Sequence, residues 1–117
     1  MSAAPLPEPG ALLRQARKII EREYARPLTP QRLARRLDMP RLAFLRAFRD
    51  SFGLSVADYL RRCRMRHAAC LLGEGRSVHD TALLVGYPRL VTFMADYRRE
   101  FRGDGGTLRL LDRSFGA

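Results

Sequence analysis

The stretch that decides the fold is SVADYLRRCRMRHAACLL, residues 55–72, near the middle of the chain. Ser55, followed three residues later by Asp58, has the spacing of a helix N-terminal cap. At about 100° per residue, the apolar side chains form two stripes on opposite sides of a helix. The stripes contain Val56, Tyr59, Leu60, Cys63, Cys70 and Leu71 on one side, and Met65, Ala68, Ala69 and Leu72 on the other. A surface helix needs only one stripe, so this pattern predicts a central helix that packs against two bodies.

The segments on either side of this helix resemble each other. Pro40-Arg41-Leu42 before it recurs as Pro88-Arg89-Leu90 after it. In each copy three aromatic residues follow with the spacing i, i+4, i+8, which places them on one face of a helix. The two trios are Phe44, Phe48 and Phe52, and Phe93, Tyr97 and Phe101.

A shorter helical pattern precedes the proline in each copy. A short helix, a tight turn and a longer helix are the layout of a helix-turn-helix. Two generic helical hairpins are the plainer interpretation. The DNA-binding motif is favoured because a small residue, Ala34 or Ala82, lies at the same place in both short helices, where two steeply crossing helices need one.

A set of residues spread over positions 20–101 resembles the DNA-binding unit of one family. The matching residues are Leu33-Ala34, Leu45-Arg46-Ala47-Phe48-Arg49, Phe52-Gly53, Tyr59-Leu60, Arg64-Met65, Ala69, Leu71-Leu72, Ala82, Gly86-Tyr87, Phe93 and Tyr97-Arg98. In this order they resemble the AraC/XylS-type bacterial transcription regulators. The resemblance implies an all-α fold of about seven helices, with two helix-turn-helix subdomains joined by a long central helix.

The expected organisation follows from these patterns. It is a mobile tail over residues 1–10, a first helix-turn-helix subdomain over 11–54, a central linker helix over 55–72, a second helix-turn-helix subdomain over 73–103 and a C-terminal tail over 104–117. Three leucines in that last segment, Leu108, Leu110 and Leu111, either dock as a short final turn or remain loose.

The charge of the chain indicates a polyanionic partner. The formal net charge is +10, and 22 residues are basic, all of them arginine except Lys18. Nucleic acid is the first candidate, and an acidic membrane or acidic protein the second. No apolar run is long enough to span a bilayer and no signal peptide is evident, so we expect a cytoplasmic, nucleoid-associated protein that does not bind membranes.

No catalytic or metal-binding pattern is present. Cys63 and Cys70 are seven residues apart on one predicted helix, about 10 Å along its axis, which is too far for a disulfide. We expect them to be small core residues in a reducing compartment. His67 and His79 lack neighbours at metal-ligand spacing, so the sequence predicts no metal, no cofactor and no enzyme.

The second helix of the first copy, residues 41–52, is the first candidate recognition helix. Its outward-facing side chains are predicted to be Arg41, Leu42, Leu45, Arg46 and Arg49. Arg46 stands where the family commonly carries an arginine, and it is the predicted base contact, bidentate to guanine. Arg41 and Arg49 are expected to hold phosphates, and the two leucines to meet thymine methyl groups. A solvated arginine face is the alternative.

The second candidate recognition helix, residues 89–101, departs from the family pattern. Val91 and Ala95 stand where family members usually carry polar side chains, and Asp96 would repel phosphate. The arginines left to contact the DNA backbone are Arg89, Arg98 and Arg99. Arg102 replaces the expected glycine, and the closing Thr-Pro motif is absent. The second copy is therefore predicted to be a weakened base reader.

Leu90, Val91 and Met94 form a predicted apolar patch on this helix, and such patches often bind partners. The sequence thus predicts a sequence-specific regulator that binds double-stranded DNA. The alternative is an adaptor that binds RNA polymerase or another regulator through this patch, or that self-associates there. Most family members carry a separate effector-binding domain; none is seen here, so no small-molecule ligand is implied.

Overall fold

The computed structural model describes residues 9–115, with side chains from 10 to 112. Over this range the chain forms helices and no strand. The helices are α1 (Pro9–Glu23), α2 (Pro30–Arg36), α3 (Arg41–Phe52), α4 (Val56–Gly73), α5 (Val78–Leu84), α6 (Leu90–Glu100) and α7 (Gly105–Phe115). The predicted all-α fold with two helix-turn-helix subdomains and a central helix is confirmed. Most of the predicted N-terminal tail lies outside the described residues, and its last two positions belong to α1.

Side-chain caps set the starts of three helices. The Ser55 hydroxyl accepts a hydrogen bond from the Asp58 N–H at 3.1 Å, and the Ser77 hydroxyl accepts one from the Asp80 N–H at 3.0 Å. Thr29 caps α2 in the same way. Each cap satisfies a free N–H group of the first turn and contributes about 1 kcal/mol. The spacing of Ser55 and Asp58 in the sequence predicted the cap of α4.

Two hydrophobic cores lie on either side of the middle of α4. The first is built by α1, α2, α3 and the N-terminal half of α4, and its fully buried side chains include Ile20, Leu33, Phe44, Phe48 and Val56. The second is built by the C-terminal half of α4 with α5, α6 and α7, and includes Met65, Val85, Phe93, Tyr97 and Leu111. The first two aromatic residues of each trio are thus fully buried in a core, and the third, Phe52 or Phe101, packs partly buried against it.

The two halves of α4 pack against different cores, in addition to presenting different faces to them. Residues up to Cys63 pack on the first core, and residues from Met65 onward pack on the second. The predicted first stripe is therefore wrong at its far end, because Leu71 packs on the second core and Cys70 is exposed. Cys63 is the last residue of α4 that packs on the first core, and Cys70 lies two helical turns beyond it.

The C-terminal segment is a docked helix rather than a tail. Helix α7 packs against α4 and α5, and Leu111 is buried in the second core. Asp104, just before the helix, accepts hydrogen bonds from the Thr107 N–H at 3.1 Å and from the Thr107 hydroxyl at 2.7 Å. These hydrogen bonds lower the pKa of Asp104. Asp104 and Thr107 thus form an N-cap pattern for α7. The glycines around them make this pattern hard to recognise in the sequence.

A glycine allows the two subdomains to touch directly. Gly86 turns the chain between α5 and α6 with φ of 96°. A Cβ atom at this position would lie 2.8 Å from the carbonyl oxygen of Ala25, which follows α1. Tyr24, next to Ala25, packs against both cores. The turn of the second subdomain therefore rests on the backbone of the first.

Replacing Gly86 tests this contact. We expect Gly86→Ala to lower the free energy of unfolding by about 2–5 kcal/mol, because it adds a steric clash to the strain of a left-handed alanine. Urea denaturation measures the change. Gly75 has φ of 94° and open space around its Cβ position, so Gly75→Ala should cost only the backbone strain, about 1–2 kcal/mol. Equal losses in the two variants would contradict the contact.

Candidate nucleic-acid interface

Helix α3 presents a basic outer face because its aromatic side chains point into the first core. Arg41, Arg46 and Arg49 are exposed, and Leu42 is 69% exposed. Leu45 differs from the prediction, since it is half-buried against the first core. Four of the five predicted outward positions are thus at the surface.

The arginines of α3 are unengaged within the protein. The guanidinium groups of Arg41, Arg46 and Arg49 form no hydrogen bond or ion pair with any residue that the structure describes. Three cations on one short helix repel each other, and a phosphate backbone would relieve that repulsion. This face is therefore available to an anionic ligand.

Other arginines are held by acidic partners. Arg36 donates two hydrogen bonds to the carboxylate of Glu23, at 2.8 and 3.0 Å. These hydrogen bonds and the charge of Arg36 lower the pKa of Glu23. The guanidinium groups of Arg61 and Arg62 lie 3.6 Å from the Glu100 carboxylate and join α4 to the end of α6. The acidic residues thus neutralise the arginines that connect helices and leave those of α3 free.

Helix α6 presents less charge than α3. Leu90 and Met94 are half-buried against the second core, whereas Val91 is 80% exposed and Ala95 is also exposed. The apolar patch predicted from Leu90, Val91 and Met94 is therefore reduced to one largely exposed side chain, that of Val91.

Asp96 does not face outward as the sequence suggested. One of its carboxylate oxygens accepts a hydrogen bond from the Tyr87 hydroxyl at 2.5 Å, and the side chain is half-buried. Burial, followed by this hydrogen bond, raises the pKa of Tyr87. The carboxylate is thus engaged by Tyr87 and borders the cleft between the two subdomains.

The remaining basic residues of α6 are exposed. Arg89, Arg98 and Arg99 form no hydrogen bond through their guanidinium groups with the described residues. Arg99 and Thr92 also border a cleft of about 410 Å³ between the two subdomains. The second subdomain therefore keeps a cationic surface, although no arginine lies at the centre of its outer face.

Arg64 of the central helix holds the two subdomains together. Its Nε donates to the Tyr24 carbonyl at 2.6 Å, and one terminal nitrogen donates to the Arg26 carbonyl at 2.9 Å. Its guanidinium carbon also lies 5.6 Å from the ring centre of Tyr87. One side chain thus joins the end of α1, the middle of α4 and the turn before α6. Arg64 is one of the residues that resemble the family, but no pattern in the sequence indicated this role.

A second cleft lies away from these helices, on the other side of α4. It measures about 320 Å³ and is lined by Glu21, Leu54, Tyr59, Arg62, Cys63, Arg66 and His67. The Tyr59 hydroxyl donates to Glu21 at 2.8 Å, and burial raises the pKa of the Cys63 thiol. Among the described residues no group of His, Cys, Asp and Glu side chains could hold a metal ion. None of the described helices is both long and apolar enough to cross a membrane.

Two paired helices on a common central helix, with a cationic outer surface, define a double helix-turn-helix DNA-binding domain. A family model for a helix-turn-helix domain, of the AraC type, matches residues 33–103. The chain therefore belongs to the AraC/XylS family of transcription regulators, which are DNA-binding proteins and not enzymes.

Solved structures agree with this assignment. A probable AraC family transcriptional regulator from Rhodopseudomonas palustris CGA009 is 31% identical, with a TM-score of 0.73 over 88% of this chain and 96% of that chain. The C-terminal domain of AraT, a response regulator from Geobacillus stearothermophilus, has a TM-score of 0.80 at 23% identity, over 92% and 88%. The latter likeness concerns the fold alone.

One curated relative is longer than this chain. The Msm operon regulatory protein of Streptococcus mutans serotype c is 27% identical over 92 residues, which are 78% of this chain. The match covers 33% of that protein, so this chain corresponds to about a third of its length.

The role of Arg64 can be tested by removing its hydrogen bonds. We expect Arg64→Met to lower the free energy of unfolding by roughly 2–4 kcal/mol, since two charge-assisted hydrogen bonds to backbone carbonyls are lost. Arg64→Lys should recover part of this, because one ammonium group cannot reproduce both bonds in the same geometry. Urea denaturation gives the values.

The control is Arg66→Met on the same helix. Arg66 is exposed and forms no hydrogen bond or ion pair with the described residues, so its loss should change stability by no more than about 0.5 kcal/mol. A similar loss in both methionine variants would show that α4 tolerates neither change and would contradict a specific role for Arg64.

Proposed function

We propose that this chain binds duplex DNA sequence-specifically and regulates transcription, with α3 inserted into a major groove. The observation that carries the proposal is the set of three unengaged guanidinium groups on the outer face of α3, namely Arg41, Arg46 and Arg49. In a helix-turn-helix the N-terminal part of the second helix meets the base edges. The exposed face of α3 begins at its first residue and fits this mode of docking.

Arg46 is the proposed base contact. It follows Leu42 by four residues, so both side chains lie on one line of the helix and toward its N-terminal half. A guanidinium group matches the O6 and N7 atoms of guanine and discriminates against other bases by about 1–3 kcal/mol. Arg41 lies at the edge of this face and Arg49 farther along the helix, which suits both to the phosphates on either side.

The second subdomain is proposed to bind mainly the DNA backbone. Arg89, Arg98 and Arg99 supply the positive charge, and Asp96 is withdrawn by its hydrogen bond to Tyr87. Because Arg64 and the Gly86 contact hold the subdomains together, both recognition helices would meet one face of the DNA about one helical turn apart. A single chain would then span two successive major grooves.

The adaptor function is a second candidate, and the exposed side chain of Val91 is the observation in its favour. Leu90 and Met94 contribute less than the sequence suggested, because both pack on the second core. A partner such as RNA polymerase, another regulator or a second copy of the chain would have to bind this reduced surface.

A regulator should bind its own site at least about a thousandfold more tightly than random DNA. An adaptor would show only salt-dependent nonspecific binding.

Substitution of the α3 arginines tests the main proposal. Sites are first selected from random duplex DNA with the full chain, and affinities are then measured by fluorescence anisotropy at two salt concentrations. We expect Arg46→Ala to weaken binding to the selected site roughly 5- to 150-fold and to relax the preference at one guanine. Arg49→Ala should weaken binding to all sequences and reduce the salt slope by about one.

The matched control is Arg14→Ala on α1. It removes the same charge from an exposed residue of α1, outside the α2–α3 and α5–α6 helix pairs, so only a small, sequence-independent loss is expected. If Arg46→Ala behaves like Arg14→Ala, Arg46 does not contact a base. If selection enriches no sequence at all, the regulator proposal fails and the adaptor remains.

A further inference from the structure

The two recognition helices each expose one aliphatic side chain at the same position. Four large apolar residues are exposed in the described part of the chain: Leu42, Leu83, Leu84 and Val91. Leu42 is the second residue of α3 and Val91 is the second residue of α6. Their exposed fractions, 69% and 80%, are the two highest of the four. The repeat thus places its most exposed apolar groups where each helix would enter a groove.

The structure also resolves the register of the repeat. Pro40 is the N-cap of α3, whereas Arg89, the residue after Pro88, is the N-cap of α6. The two copies of the repeat are therefore aligned on their aromatic residues, so that Phe44 corresponds to Phe93. Leu42 then corresponds to Val91, Arg46 to Ala95 and Arg49 to Arg98. The sequence repeat of Pro-Arg-Leu alone would have matched Leu42 with Leu90, which is half-buried.

The chemistry of the major groove identifies what these side chains would contact. The base edges there carry hydrogen-bond donors and acceptors, and the only apolar group is the C5-methyl of thymine. An exposed leucine or valine between unengaged arginines has no polar group to offer. Such a side chain would weaken DNA binding where it meets most bases, and it would strengthen binding where it meets a thymine methyl group.

We infer that Leu42 and Val91 are specificity-determining residues that each contact a thymine methyl group, one in each half of a two-part site. This rests on the proposed function, and it gives the second subdomain a share in base recognition. The first half-site would contain a thymine close to the guanine bound by Arg46. These two bases would lie on the order of two base pairs apart, because four residues of helix rise about 6 Å.

The second half-site would be recognised by methyl contact alone. Ala95 replaces the arginine of the first copy and lies one turn after Val91 on the same exposed face. A small alanine lets the helix approach closely, and alanine itself can contact a thymine methyl. The operator would therefore be asymmetric, with thymine in both halves and a required guanine in only one.

Deoxyuridine provides a direct test, because it removes only the C5-methyl group and keeps every hydrogen-bonding group of thymine. In the selected duplex each thymine is replaced singly, and affinity is measured for the full chain by fluorescence anisotropy at fixed salt. One replacement in each half-site should weaken binding about three- to fivefold, the effect of one buried methyl group.

Variants then assign each methyl group to a side chain. Leu42→Ala should abolish the effect of deoxyuridine in the guanine-containing half-site and keep the effect in the other. Val91→Ala should do the reverse, and Leu42→Ile should retain both effects. Leu83→Ala is the matched control, because Leu83 is 62% exposed on α5, outside both recognition helices, and it should retain both effects.

The outcomes separate this inference from the proposed function. Specific binding that is indifferent to every deoxyuridine would overturn the inference and leave the proposed function standing. Persistence of both deoxyuridine effects in Leu42→Ala and in Val91→Ala would overturn it equally. Failure to enrich any sequence in the initial selection would reject the proposed function, and the inference with it, before any variant is made. Both substitutions are at exposed positions, and circular dichroism would verify that each variant keeps its helices.

Discussion

The hydrogen bonds of Arg64 to the Tyr24 and Arg26 carbonyls are the interaction on which the arrangement of the two subdomains depends. The end of α1 leaves carbonyl groups without helical partners, and a guanidinium group from α4 supplies two donors in a fixed plane. The turn at Gly86 then rests on Ala25, the residue between those two carbonyls. A central helix alone would only join two cores, whereas this cluster determines how one core lies against the other.

The distribution of acidic residues explains which arginines are free to bind DNA. Glu23 and Glu100 each take arginine partners at a junction between helices. Arg64 uses backbone carbonyls instead and needs no acid. The arginines of α3 have neither kind of partner among the described residues, so their charge faces solvent. The outer face of α3 therefore carries uncompensated positive charge, as expected for a domain that binds a polyanion.

The two subdomains share one fold and differ in surface chemistry. Both cores are built around an aromatic trio on a recognition helix, and both short helices begin with a capped turn. The outer faces diverge because no core contact constrains them: Arg46 in α3 corresponds to Ala95 in α6. Burial of Leu90 and Met94 and the hydrogen bond of Asp96 to Tyr87 leave Val91 as the main apolar group of the second face.

The sequence by itself determined the helices of the two helix-turn-helix subdomains, the central helix with its Ser55 cap and the two aromatic cores, because these depend on local spacing and on the period of the helix. It also indicated the family and the basic face of α3. Only the tertiary structure decided which outward positions are truly free, since Leu45, Leu90 and Met94 are drawn toward cores that periodicity cannot locate. The docking of α7, the exposure of Cys70 and the bridge made by Arg64 were likewise decided there, because they depend on neighbours that are distant in the chain.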